Sequence, residues 1–183
     1  MALDRTSAQT LLETHISSAS LRRHCEMVAQ AMEAYARALG KTDEEIETWY
    51  LAGLLHDLDW EKWPDEHPNY ALQKLLPQAG ATQDILDAIS AHAPQRTGHV
   101  LLASNPEIER YLFACDEICG FLDAVAKVRP EGYTGMKVSS VKKKLKDKAF
   151  AAGVSREDVA QGAELIGKPI EEHIEFLVGV FGK

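Results

Sequence analysis

The sequence predicts an all-α fold, a single-domain helical bundle of about eight or nine helices. Three observations carry that expectation. Apolar residues recur at helical spacing over almost the whole chain, and no stretch alternates with the period of two that a half-buried strand requires. Residues that start and stop helices stand at the ends of those stripes. The composition, 45% apolar and 26% charged over 183 residues, belongs to a globular chain long enough for one sizeable core.

Taken in order, Thr6–Ile16 is a short first helix carrying Leu11, Leu12 and Ile16. Ser20 is a candidate N-cap for the next helix, which runs to Gly40 as its stop and turns His24, Val28, Ala31, Met32, Tyr35 and Leu39 to one face. Thr42 and Glu45 form a capping box for a third helix that ends near Asp57. On it Ile46, Trp49, Tyr50, Gly53 and Leu54 recur at helical spacing, and His56 and Asp57 close that stripe. Residues Leu58–Asp65 read as a loop holding Trp60, Trp63 and Pro64. Pro68 suits a first helical position, which puts His67 at a helix edge. Thr82 caps a helix on which Ile85, Ile89 and His92 share a face, and Ala93–Asn105 is irregular. The helix from Pro106 to about Lys127 buries Ile108, Leu112, Cys115, Cys119 and Leu122, with Asp116 beside them. Three helices close the chain: lysine-rich Ser140–Ala152, one opened by Ser155 and Asp158 and ended at Gly167, and one opened by Pro169.

Charge and targeting signals narrow the function. The net charge of −8 argues against a nucleic-acid polymer or an anionic membrane as partner. No run approaches the roughly 18 apolar residues of a membrane span, and the N-terminus lacks a secretory pattern. Three cysteines, an odd number on apolar stripes, suit a reduced cytoplasmic protein.

Burying an ionised aspartate costs several kcal/mol unless it is paired or holds a metal, so the His56-Asp57 pair demands partners. Other helices offer them: His24 and Asp116 on or beside inward faces, with His92 on a buried stripe and His67 at a helix start. A lone inward histidine is usually a satisfied core residue, but several such groups shift the balance to a metal site. The set is nitrogen and oxygen only, which suits Mn, Fe, Ni, Co, Zn or Mg rather than a thiolate centre.

The order His24 … His56-Asp57 … Asp116 resembles the H…HD…D signature of the HD superfamily of metal-dependent phosphohydrolases. AGLLHDLD is similar to that family's helix end, LRRHCEMVA to its first-histidine helix and LFACDEICG to its last-aspartate helix. His67 in EHPNYA and His92 in DAISAHA match the two further histidines of members with a second metal, at a shorter Asp57–His67 spacing than many of them have. The resemblance implies an HD core at about 20–127 and a helical extension at about 139–183, the latter similar to that of a subgroup of small bacterial members. It further implies that the quartet holds a divalent metal, with one or two ions per chain.

The residues combine into a mechanism. Asp57 can bridge two metals, with His24, His56 and Asp116 on one and His67 and His92 on the other; two ions roughly 3.5–4 Å apart can activate water and clamp an in-line displacement. Lys62 is a candidate catalytic and phosphate-binding residue, and Asp59 and Glu61 are candidate supporting partners or proton carriers. The expected function is hydrolysis of a nucleotide or another small phosphorylated metabolite. A diiron oxygenase and a non-catalytic metal- or nucleotide-sensing domain are the alternatives. Milder readings go to the rest: Lys142, Lys143, Lys144, Lys146 and Lys148 as solvated surface, Cys115 and Cys119 as buried hydrophobes, Trp60 and Trp63 as packing, and His15, His99 and His173 as surface residues. Substrate, metal identity and oligomeric state are not legible.

Overall fold

Side-chain caps set the helix boundaries. In the computed structural model, which describes residues 3–182, Asp4 accepts from the Ser7 amide at 2.8 Å and opens α1 (Arg5–His15). The capping box opens α3 (Asp43–Leu55), with Thr42 N–H donating to Glu45 at 2.9 Å. The cap of α2 (Ala19–Ala38) is Ser18 rather than the expected Ser20. Glu61 decides this from afar by accepting the Ser17 and Ser18 amides, and Ser18 Oγ then takes the Leu21 N–H.

The chain continues through a π-helical turn at Ala71–Leu75 into α4 (Leu76–Ala79), then α5 (Gln83–His92), the short α6 (Pro94–Thr97) and α7 (Glu107–Lys127). α8 (Val138–Leu145), α9 (Arg156–Leu165) and α10 (Ile170–Phe181) complete ten α-helices, with no strand among the described residues. The helix expected from Pro68 begins one residue later, at Asn69, after turns over 64–68; the Pro68 carbonyl accepts the Leu72 N–H at 3.0 Å, and the buried Asp59 carboxylate takes the Ala71 N–H at 2.8 Å. The lysine-rich helix stops at Leu145, well short of Ala152. Beyond it the Arg156 guanidinium collects the carbonyls of Asp147, Phe150, Ala151 and Val154, which favours turns over a continued helix.

The core lies where α2, α3, α5 and α7 meet, and α2 packs most extensively on α3. Their approach is backbone to backbone at Gly53, where a Cβ would sit 2.8 Å from Ala29 Cα and 2.9 Å from Val28 O. Gly162 does the same for α9 on α7, 2.7 Å from Ala114 Cα. The helices after residue 138 join this core through Val141, Val159, Ile174 and Leu177. His173, expected at the surface, is instead fully buried. Its Nε2 donates to the Ala114 carbonyl at 2.9 Å, and its Nδ1 lies 2.6 Å from the Tyr35 hydroxyl, so it links α10 to α7 and α2. His99 is half-buried against Glu109 at 2.8 Å, and His15 is half-buried beside Trp63.

Candidate metal centre

Four helices aim side chains at one point beneath the surface. His24 sits in the second turn of α2, His56 is the C-cap of α3 with Asp57 next to it, His92 is the last residue of α5, and Asp116 is mid-way along α7. His67 comes from the turns before the π-helical segment. Because Gly53 lets α3 settle against α2, the C-terminal end of α3 brings His56 Nε2 within 3.2 Å of His24 Nε2.

The six residues form two sets that share one carboxylate. In the first, His24, His56 and Asp57 present ligand atoms that all lie within 4.8 Å of one another. Asp116 Oδ1 lies 2.9 Å from His24 Nε2 and 3.4 Å from His56 Nε2. Asp57 Oδ2 is 3.5 Å from His56 Nε2 and 3.7 Å from His24 Nε2. In the second set, the other oxygen, Asp57 Oδ1, stands 3.5 Å from His67 Nε2 and 4.0 Å from His92 Nε2. Those two nitrogens are 3.2 Å apart. Ligand bonds of about 2.0–2.2 Å separate neighbouring donor atoms by about 2.8–3.6 Å in octahedral or tetrahedral geometry. Most of the spacings fall in that range, with Asp57 standing slightly farther from His24 and His92 at 3.7 and 4.0 Å, so the two groups could each hold a cation.

Hydrogen bonds on the far side of the rings make the same point. His56 Nδ1 donates to the Gly53 carbonyl at 2.8 Å, His67 Nδ1 to Asp59 at 2.7 Å, and His92 Nδ1 to the Ile89 carbonyl. In the neutral ring each contact fixes the tautomer that leaves the Nε2 lone pair facing its neighbours. The inward lone pairs of His67 and His92, 3.2 Å apart, repel unless something positive lies between them, so the residues fit a bound metal. Asp59, fully buried, orients His67 and also caps the Ala71 amide.

On His56 a proton can take the place of the cation. Burial opposes charge on His56, but the carboxylates of Asp57 and Asp116 prevail and hold its proton up to about 9. Asp116 titrates well below the usual carboxylate range: burial works against this, and His56 and His24 overcome it. Burial, helped by the proximity of His56, presses His92 down to about 4, so its imidazole is neutral and available as a ligand. Cys25 is adjacent to His24, yet burial and then the two aspartates push its thiol well up, and no cysteine enters either set.

The centre opens into a cavity of about 450 Å³. Trp60, 42% exposed, forms part of its wall and lies edge-on to His67, so it packs against a ligand candidate and faces the cavity at once. Lys62 is not brought to the site. The loop after Asp57 folds back on the end of α1, where Lys62 Nζ donates to the Thr14 carbonyl at 2.8 Å, and Glu61 is occupied in capping α2. None of the five lysines of the basic cluster lines this cavity, and Lys142 pairs with Glu171. Sequence reasoning missed Arg96, Glu117 and Asp158, which do line it. Arg96 follows His92 by one turn, and Glu117 adjoins Asp116; a search for charges flanking the ligand candidates finds both. Burial and the neighbouring Asp116 raise Glu117 to about 7, and it accepts the Ser155 N–H at 3.0 Å.

No helix among the described residues is long and apolar enough to cross a membrane. Compared with known proteins, the chain matches the family model of the HD domain over residues 21–126, a span that includes all six ligand candidates. No curated protein and no solved structure matches it.

Proposed function

Because the chain belongs to the HD-domain family, we propose that it is a metal-dependent phosphohydrolase acting on a small phosphorylated substrate. One observation carries the reading: two ligand sets share the two oxygens of Asp57 beside a cavity of small-molecule size. His24, His56, Asp57 and Asp116 would hold one divalent ion, and Asp57, His67 and His92 a second. Such ions supply Lewis acidity and acidify a water molecule so that a nucleophile is present at neutral pH.

The chain's own residues do the positioning. Asp57 fixes the separation of the two sets, since each of its oxygens faces one of them. Asp59 and the Gly53 and Ile89 carbonyls hold three rings in the ligating orientation. Burial of His56, His67 and His92 keeps bulk water from the inner side of the centre, so reaction is confined to the cavity face.

The test starts with the metal content of protein purified without added metal. Phosphate release from a panel of phosphomonoesters and nucleotides is then measured with Mn²⁺, Co²⁺, Ni²⁺, Mg²⁺ or Fe²⁺. Activity should vanish with chelator and with Asp57→Ala, and persist without oxygen. Turnover that needs O₂ would assign the centre to oxygenase chemistry. Tight nucleotide binding with no product would make it a sensor.

A further inference from the structure

Among the described residues, Arg96 is the single permanent cation lining the metal cavity. Its position is fixed from both ends. The Asn69 side chain donates to the Arg96 carbonyl at 3.2 Å, while Arg96 Nη1 donates to the carbonyls of Pro64 at 2.7 Å and His67 at 3.2 Å. The guanidinium carbon stands 5.3 Å from the centre of the Trp60 ring, which also borders the cavity. The contacts of the guanidinium itself use one nitrogen, Nη1, and one face. Nε and Nη2 have no protein partner among the described residues. The result is a planar fork with one side anchored to the turn that carries His67 and the other side free. A fork of this kind matches the paired oxygens of a phosphate, and its anchoring lowers the ordering cost of binding.

The same cavity carries carboxylates that the ligand sets do not use, Glu117 and Asp158. Beyond the ligand sets, Arg96 is the one cationic group among the described residues of this lining to meet an anion. A second or third phosphate would have to lie against like charge. Hydroxyl or ammonium groups suit that wall.

Resting on the phosphohydrolase reading, we propose that Arg96 binds the phosphoryl group of the substrate through its Nε and Nη2 edge. The substrate class is then a phosphomonoester of an uncharged or cationic small molecule, not a polyphosphate.

The experiment uses the full chain loaded with Mn²⁺, with inorganic phosphate as probe and binding followed by calorimetry. Metal content is measured on every sample. R96Q should retain its metal and weaken phosphate by about 10- to 100-fold, and R96K, which keeps charge without the fork, by less. A nucleoside monophosphate should bind the wild-type protein more tightly than the triphosphate of the same nucleoside. If fully loaded wild-type protein binds no phosphate, the phosphohydrolase reading fails and this proposal with it. If the wild type binds phosphate and R96Q binds it equally well, Arg96 has no such role while the hydrolase reading stands. Should R96Q lose metal, R96K decides: weakened phosphate at full metal content supports the proposal, and wild-type affinity overturns it. Metal loss in both variants would show that Arg96 acts only by holding the His67 turn, and would also overturn it. Tighter triphosphate than monophosphate binding refutes the substrate class.

Discussion

Replacing His173 by phenylalanine should destabilise the protein by about 3 kcal/mol at pH 7.5 and by only about 1 kcal/mol at pH 5. The ring volume is kept, so little cavity forms. What disappears is the partner of the Tyr35 hydroxyl and a donor to the Ala114 carbonyl, in a place where Tyr35 and Ala114 are each 1% exposed. Leaving such groups unsatisfied costs about 1–3 kcal/mol each, and the Ala114 carbonyl less because its helix still uses it. The pH term has its own sign. Burial lowers the His173 pKa from 6.5 to about 4, so below pH 6.5 the unfolded chain takes up a proton that the native state refuses. Its contribution to stability is therefore complete above pH 6.5 and is lost as pH falls toward 4. With these two values the wild type gives up about 2 kcal/mol between pH 7.5 and pH 5, a term that the phenylalanine variant lacks. Urea denaturation of both proteins at both pH values, in chelator, isolates the difference, because other titrating groups cancel between them. A stability gap of the same size at both pH values would refute a neutral buried His173. A gap below about 1 kcal/mol at pH 7.5 would refute the hydrogen-bond network.

Other perturbations test the centre and the packing that builds it. His56→Ala should abolish metal retention at the first set, with much helicity left in circular dichroism; wild-type metal stoichiometry in that variant would sink the ligand assignment. His92→Ala should lower the metal content toward one ion per chain if the wild type holds two. Asp59→Asn should weaken the second ion by about 10- to 100-fold, since the ligating tautomer of His67 then lacks its acceptor; metal titration reads this, and unchanged affinity would remove Asp59 from the site. Gly53→Ala should cost about 3 kcal/mol or more and reduce metal content as well, because the new methyl meets the backbone of Val28 and Ala29 and the same residue's carbonyl holds His56. Normal stability would show that α2 and α3 separate easily.

Much of the fold was legible because helix signals are local. The Thr42–Glu45 box, the Ser155 cap and the Pro169 start each rest on residues within one turn, and the structure uses all three. The ligand candidates on helices could be read because a 3.6-residue period says which face looks inward. The misreadings had distant causes. Ser18 and Ser20 are equally good caps until Glu61 arrives from 43 residues away. The lysine-rich segment scores as helix until Arg156 claims its carbonyls. Lys62 looked available for phosphate because nothing nearby in sequence indicates that α1 ends beside it. His173 is the exception. It lies three residues after Ile170 and four before Leu177, so the periodic argument that turned His24 inward applies to it equally.

His173 and the candidate ligand histidines set two roles of one residue type side by side within a single core. His173 is satisfied at both nitrogens, by the Tyr35 hydroxyl and the Ala114 carbonyl, and lacks nothing. His56, His67 and His92 are satisfied at Nδ1 alone, and their Nε2 atoms converge on other imidazoles and on Asp57. Burial is common to all four, so it cannot separate a structural histidine from a ligand. The count of partners does, because a buried lone pair opposed by another lone pair raises the energy of the fold until a cation joins them. Metal should therefore stabilise this chain as well as activate it, and its removal should lower the thermal midpoint of the wild type by more than that of His56→Ala, which keeps only the second set. An equal midpoint for wild type with and without metal would mean that the Nε2 atoms find other partners, and the two-set reading of the centre would fail.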